Sequence, residues 1–297
     1  MIESISGDRL WQWRQWAHQL ASRENISPAE VDWLLRHYCP ELDALALRLN
    51  TYRGASSLVI QCPLDELTGL WEQRVRDRVP VQHLTRLTPW RDFLLAVSPA
   101  VLIPRPETEL IIDLAVQATQ HHPGLSAGTW VDMGTGSGAI AIGLADVFPN
   151  ANIHAVDVSA DALKIANENA ERCRVVDRIQ FHHGDWFDPI QHLRGQLDGM
   201  VSNPPYIPSS EISKLQPEVS KHEPHLALDG GADGLDAIRH LAKAASRYLK
   251  SDGLWLVEIM AGQAEQVVSI LNQHPFRDID VCSDLSGIER FVMAYRR

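Results

Sequence analysis

An α/β fold is predicted here: a doubly wound, mainly parallel sheet with an antiparallel C-terminal edge, preceded by a small all-α bundle. Three observations predict it. Short apolar, β-rich runs alternate with helical runs beyond residue 105, the last two apolar runs follow one another without a helix, and the first 85 or so residues carry apolar side chains at helical spacing.

Taken in order, Leu10, Trp13, Ala17 and Leu20 recur at helical spacing after Asp8, a candidate cap. Ser27-Pro28-Ala29-Glu30 reads as a capping box with proline at the first helical position. A third run carries Leu42, Leu45 and Leu49, and a fourth starts near Pro63 and carries Leu67, Leu70 and Val75 up to Pro80. These runs define an N-terminal helical domain over 1–87. From Trp90 to Ile103 the pattern changes to short apolar alternation, punctuated by Pro89, Pro99 and Pro104, so 88–105 is expected to be a hairpin or extended linker. A third region, 106–297, then has candidate strands at 129–133, 153–158, 179–183, 197–202 and 254–259, with helices around 107–120, 139–147, 160–172, 235–249 and 261–273. Such alternation places ligands at the carboxyl ends of the strands. The final strands, near 279–282 and 290–294, have no room for a crossover helix and are expected to form the antiparallel edge.

The bulk numbers fit a globular chain, with 297 residues, 45% of them hydrophobic, and a mean hydropathy of −0.16. The opening residues carry Glu3, Asp8, Trp11 and Trp13 where a signal peptide would carry a basic start and an apolar run. No stretch reaches the roughly 18 apolar residues of a membrane span. A cytoplasmic protein without a membrane partner is therefore expected. Cys39, Cys62, Cys173 and Cys282 are far apart and form no Cys-x-x-Cys pair, so buried free thiols are expected rather than a zinc site or disulfides. Residues 1–88 hold ten Arg and eleven acids (10 − 11 = −1), which leaves 17 − 27 = −10 for residues 89–297. A strongly acidic region repels phosphate backbones and draws in cations, which disfavours a nucleic-acid substrate without excluding it.

Two segments carry the chemistry. The first is Asp132-Met133-Gly134-Thr135-Gly136-Ser137-Gly138, a strand end running through a glycine-rich turn into an apolar helix. Asp157 ends the next strand, where a carboxylate can accept hydrogen bonds from both hydroxyls of a ribose. The G-x-G-x-G spacing behind an acid differs from the G-x-G-x-x-G that seats a pyrophosphate. The arrangement resembles the first two motifs of the Rossmann-like methyltransferases, and that resemblance implies S-adenosylmethionine as cofactor and S-adenosylhomocysteine as product. An acidic wall suits the sulfonium. Gly184-Asp185-Trp186 after the third strand would then flank adenine, Trp186 supplying a ring face and Asp185 an acceptor; taken alone, Trp186 is equally well a packing aromatic.

The second segment is Asn203-Pro204-Pro205-Tyr206, at the end of the fourth strand. Asn203 and Pro204 each precede a proline and are held extended, and the prolines remove two backbone donors. The Asn203 side-chain oxygen and the Pro204 carbonyl can both accept from one NH₂ group, and Tyr206 offers a ring for a flat amide or base. An amide nitrogen is a poor nucleophile. Two acceptors on its N–H bonds help it pyramidalise and favour the positive charge that grows on it as a methyl group arrives. No metal and no strong base are required.

The motif resembles that of adenine amino-methyltransferases and protein glutamine methyltransferases. Three segments together, Val101-Leu102-Ile103-Pro104-Arg105-Pro106-Glu107-Thr108-Glu109, Asn203-Pro204-Pro205-Tyr206-Ile207-Pro208 and Leu228-Asp229-Gly230-Gly231-Ala232-Asp233-Gly234-Leu235, are similar to the release factor glutamine methyltransferases. That resemblance spans nearly the whole chain. It implies methylation of the glutamine in the Gly-Gly-Gln motif of peptide chain release factors, docked by the N-terminal domain. It also implies that Asp132, Gly134 through Gly138, Asp157, Asp185, Trp186 and Asn203 contact the cofactor, and Asn203 through Tyr206 the glutamine. Where the family tends to have Pro-x-Gln-Tyr-x-x-Gly, this chain reads Pro80-Val81-Gln82-His83-Leu84-Thr85-Arg86, and the isolated His83 is expected at a surface or junction. Two roles are open to Arg105 through Glu109, a helix start with acids in its first turn or a pocket wall. The rival substrates are a glutamine of a ribosomal protein and an adenine amino group, and a non-catalytic binding module would be expected to have lost Asn203 or a loop glycine.

Overall fold

A computed structural model describes residues 2–297, which divide after Arg86 into two units. The first contains β1 (Glu3–Ile5), α1 (Gly7–Arg23), α2 (Pro28–Tyr38), α3 (Ala44–Leu49), β2 (Leu58–Ile60), α4 (Leu64–Arg76) and α5 (Val81–Thr85). It is not purely helical, because β1 and β2 pair antiparallel, with Ser4 opposite Val59. Strands this short carry little sequence signal. The core is built from Leu10, Trp13 and Ala17 of α1, Leu34 and Leu35 of α2, and Leu67 and Trp71 of α4.

Local capping differs from expectation. Ser6, not Asp8, caps α1, accepting from the Arg9 N–H at 3.3 Å. Ser27 caps α2 as expected, yet Glu30 does not close a capping box: its carboxylate pairs with the buried Arg74 of α4 at 2.5 Å. A charge-assisted bond to a desolvated guanidinium outweighs one to a solvated backbone N–H. In the third run Leu42 is buried, but Leu45 and Leu49 are exposed and Leu47 takes the core position, since α3 has too few turns to bury more than one face.

The second unit begins with a hairpin, β3 (Leu87–Trp90) and β4 (Phe93–Ala96), that starts earlier than Trp90 and packs into the core through Trp90 and Leu95. Then come α6 (Leu110–Ala118), β5 (Thr129–Met133), α7 (Ala139–Val147), β6 (Asn152–Asp157), α8 (Ala160–Arg172), β7 (Ile179–His183), β8 (Leu197–Ser202) and α9 (Pro217–His222). The chain closes with α10 (Asp236–Ala245), β9 (Leu249–Glu258), α11 (Ala264–Asn272), β10 (Phe276–Ser283) and β11 (Glu289–Arg296). The sheet order is β10-β11-β9-β8-β5-β6-β7, parallel from β9 through β7 and antiparallel where β11 enters between β9 and β10. The doubly wound sheet with an antiparallel edge is thus as the sequence predicts.

Several elements depart from their predicted bounds: the helix expected over 235–249 ends at Ala245, and the strand expected near 279–282 starts at Phe276. The 107–120 helix begins as a 3₁₀ turn over Pro106–Glu109, and β9 extends back through the polar Lys250-Ser251-Asp252-Gly253. The sulfur atoms differ too: Cys39 and Cys62 are buried, whereas Cys173 and Cys282 are only half-buried. Among the described residues no helix is long and apolar enough to cross a membrane.

Strand parity decides which side chains reach which layer. Trp130 of β5, Val201 of β8, and Leu254 and Leu256 of β9 pack with α6 and α7. Val131, Met133, Trp255 and Val257 face the opposite layer with α10 and α11. Asp132 and Glu258 share the parity of the first set, so both carboxylates turn toward α6 and α7. Gly199 of β8 leaves room for the Trp130 indole, which a Cβ there would meet at 2.3 Å.

Candidate active site

The strand order reverses between β5 and β8, and at such a switch point the two flanking loops diverge and open a crevice. A cavity of about 500 Å³ opens there, within the roughly 300–1,000 Å³ of small-molecule sites. One wall is the loop after β5. Gly134, Gly136 and Gly138 all have positive φ, and at Gly138 a Cβ would also meet the Ala166 backbone at 3.1 Å. Only glycine lets this turn close on α8 while feeding α7.

Asp132 is wholly buried beneath that loop. Its Oδ2 accepts from the Thr135 hydroxyl at 2.6 Å and from the Ala141 N–H at 3.2 Å, and its Oδ1 is buried with no hydrogen-bond partner among the described residues. Burial pushes its carboxyl up to about 7 against those two bonds. Asp132 is therefore placed as a brace under the loop rather than on the cavity wall, and Gly138 likewise lies behind the lining. Gly134, Thr135, Gly136 and Ser137 do line it.

At the tip of β6, Asp157 lines the cavity and holds the loop from the other side. One oxygen accepts from the Gly136 N–H and the other from the Ser159 N–H, each at 2.8 Å. Burial raises its carboxyl above the usual range, opposed by those donors. Asp185 and Trp186 line the cavity after β7, and the Trp186 ring lies 6.2 Å from the ring of His240 on α10.

After β8, Asn203 and Pro205 reach the cavity, whereas Pro204 is buried and Tyr206 turns back into the protein. The reason is Glu258, at the tip of β9 and 1% exposed. Its Oε1 accepts from the Tyr206 hydroxyl at 3.3 Å and its Oε2 from the Thr108 hydroxyl at 2.6 Å; Thr108 in turn accepts from Asn203 Nδ2 at 3.2 Å. Burial pushes Glu258 up to about 7 against the Thr108 and Tyr206 bonds, and burial with the Glu258 charge beside it raises Tyr206. Gln263 fixes the backbone here, its side-chain NH₂ donating to the Tyr206 and Gly234 carbonyls at 3.1 and 3.3 Å. The segments after Tyr206 and before Leu235 zip together, Ile207 N–H donating to the Leu228 carbonyl and Gly230 N–H to the Ile207 carbonyl. Arg105 and Thr108 line the cavity while Pro106–Glu109 form the 3₁₀ turn, so the segment before α6 serves both as helix start and as wall. Arg105 pairs with the buried Glu223 at 2.7 Å. His83, by contrast, lies in α5 of the first unit.

Glu258, Gln263 and His240 were not singled out in the sequence. For Glu258 there is a usable signal, an acid closing the apolar run Leu254-Trp255-Leu256-Val257 where a buried strand should stay apolar. His240 and Gln263 have none, because each is one polar residue in an amphipathic helical stretch.

A switch-point cavity floored by a glycine-rich loop, with an acid at the end of the second strand, defines a Rossmann-like methyltransferase. Known proteins agree. The family description "Methyltransferase small domain" matches residues 112–220. The solved hMettl16 catalytic domain, bound to a MAT2A 3′UTR hairpin, shares the fold with a TM-score of 0.53 at 13% identity, covering 77% of this chain and 80% of that one. A release factor glutamine methyltransferase from Synechocystis sp. is 50% identical over 98% of this chain and 97% of its own length. Another from Thermosynechococcus vestitus is 44% identical over 98% of this chain and 99% of its own. The chain belongs to the release factor glutamine methyltransferase family, and it is a methyltransferase.

Proposed function

We propose that this enzyme transfers the methyl group of S-adenosylmethionine to the side-chain amide nitrogen of the glutamine in the Gly-Gly-Gln motif of peptide chain release factors, in the cytoplasm, and that its N-terminal unit docks the release factor. The observation that carries this reading is the joint presence of Asp157, the glycine loop and Asn203 around one cavity. The residues fit the cofactor: the Asp157 and Asp185 carboxylates on the cavity lining suit a cation, and Asp157 also suits ribose hydroxyls. When bound, the cofactor supplies an electrophilic methyl group on a sulfonium.

The protein's own part is to place the amide. Asn203 Oδ1 accepts one glutamine N–H; the Pro204 side chain is buried, and only its backbone carbonyl is proposed as the second acceptor. Pro205 stiffens the segment so that neither oxygen must reorganise as charge grows on nitrogen. The proton leaves after transfer, when the alkylated nitrogen has become acidic, so no base need touch it. Tyr206, tied to Glu258, acts on this wall from behind.

The test is mass spectrometry of release factor, ribosomal protein and DNA after incubation with isotopically labelled cofactor. Label is expected on the release factor glutamine, and Asn203→Ala should abolish it while S-adenosylhomocysteine still binds. Label on the ribosomal protein or DNA instead, or turnover retained by Asn203→Ala, would overturn the reading.

A further inference from the structure

Asn203 reaches the cavity with its orientation already set from behind. A threonine hydroxyl carries one proton, and an ionised carboxylate can only accept. Because the Thr108 proton is committed to Glu258 Oε2 at 2.6 Å, the Thr108 oxygen is left to accept from Asn203 Nδ2 at 3.2 Å. The NH₂ end of the Asn203 amide is therefore held at Thr108, and the carbonyl end points away from it.

We propose that Thr108 and Glu258 are positioning residues whose hydrogen-bond chain, by running toward the carboxylate, keeps the Asn203 oxygen turned into the cavity as the acceptor for the substrate amide. This rests on the function proposed above. Had the chain run the other way, Asn203 would present a donor to the substrate N–H and repel it. The oxygen and nitrogen of an amide have nearly the same shape, so packing alone cannot choose between them; only the direction of the hydrogen bonds can.

The groups facing Glu258 are Thr108 and Glu107 from the turn before α6, Tyr206 after β8, and Arg290 of β11, itself paired with Asp284 at 2.8 Å. Arg105 acts on Tyr206. Burial holds the Glu258 carboxyl at about 7, against its hydrogen bonds and the Arg290 charge. Once protonated, Glu258 can donate to Thr108, whose own proton then turns to Asn203 and reverses the chain. The rate of transfer should accordingly rise with pH through about 7. Asp132 is pushed to about 7 as well, but it sits under the cofactor loop and its titration reads in cofactor affinity, so the rate is taken at saturating cofactor.

The experiment uses the full chain with Thr108→Val, Thr108→Ser and Glu258→Gln. One readout is the side-chain amide signal of Asn203 in ¹⁵N-asparagine-labelled protein, assigned with Asn203→Ala; the other is kcat and KM on whole release factor, beside S-adenosylhomocysteine affinity. Thr108→Val should shift the Asn203 signal and lower kcat on the order of 10- to 100-fold, with KM and cofactor affinity nearly unchanged. Thr108→Ser should restore both, and Glu258→Gln should flatten the pH dependence of kcat. An unchanged kcat in Thr108→Val, a fall in kcat with the Asn203 signal unmoved, or a loss shared with cofactor affinity would overturn the proposal. If the wild-type chain methylates no release factor while the Asn203 signal still follows Thr108 and Glu258, the proposed function fails and the relay stands.

Discussion

In the proposed function the Asp157 carboxylate does two jobs in sequence. Its oxygens accept from the Gly136 and Ser159 N–H groups, which hold the glycine loop against the tip of β6. A carboxylate oxygen has lone pairs to spare, so ribose hydroxyls can join without displacing those donors. Truncation removes both the brace and the proposed ribose acceptor. Asp157→Ala is expected to weaken S-adenosylhomocysteine binding by about 100-fold, roughly 2.7 kcal/mol, measured by calorimetry. A change below about threefold would mean that the ribose is held elsewhere.

Among the elements, the hairpin and α8 are coupled by one side chain. Asn169 is fully buried; its NH₂ donates to the Ala96 and Ser137 carbonyls, each at 2.9 Å, and its oxygen accepts from the Ala96 N–H at 2.6 Å. It thus ties β4, α8 and the cofactor loop together at a point where none of the three can reach water. Asn169→Leu keeps the volume and strands three buried backbone groups, which should cost about 3 kcal/mol of stability in denaturant melts and loosen Ser137 enough to weaken cofactor binding. Stability within about 0.5 kcal/mol of wild type would show that these groups find other partners.

The whole molecule carries its acidity unevenly, with a net of −10 over residues 89–297 against −1 over residues 1–88. The first unit has its own core and its own half-buried ion pairs, Arg14 with Asp32 at 2.6 Å and Arg74 with Glu30. If that unit docks the partner, removing residues 1–85 should raise KM for whole release factor far more than for a short Gly-Gly-Gln peptide. Equal effects on the two substrates would count against docking.

By itself the sequence determined the layer order of the second unit, the antiparallel edge and the two loops of the cavity. Strand and helix periods, glycines at a turn and prolines after a strand act over a few residues and are written where they act. The short β1 and β2 pairing depends on segments meeting from far along the chain, and periodicity does not register it. Tertiary structure alone decided that Asp132 braces the loop from below, that Tyr206 turns away from the cavity, and that Glu258 holds Asn203 through Thr108. Those residues lie up to 150 positions apart in the case of Thr108 and Glu258. What brings them together is the parity of β9 and the entry of α6, and the direction of a hydrogen bond exists only once both partners have been buried face to face.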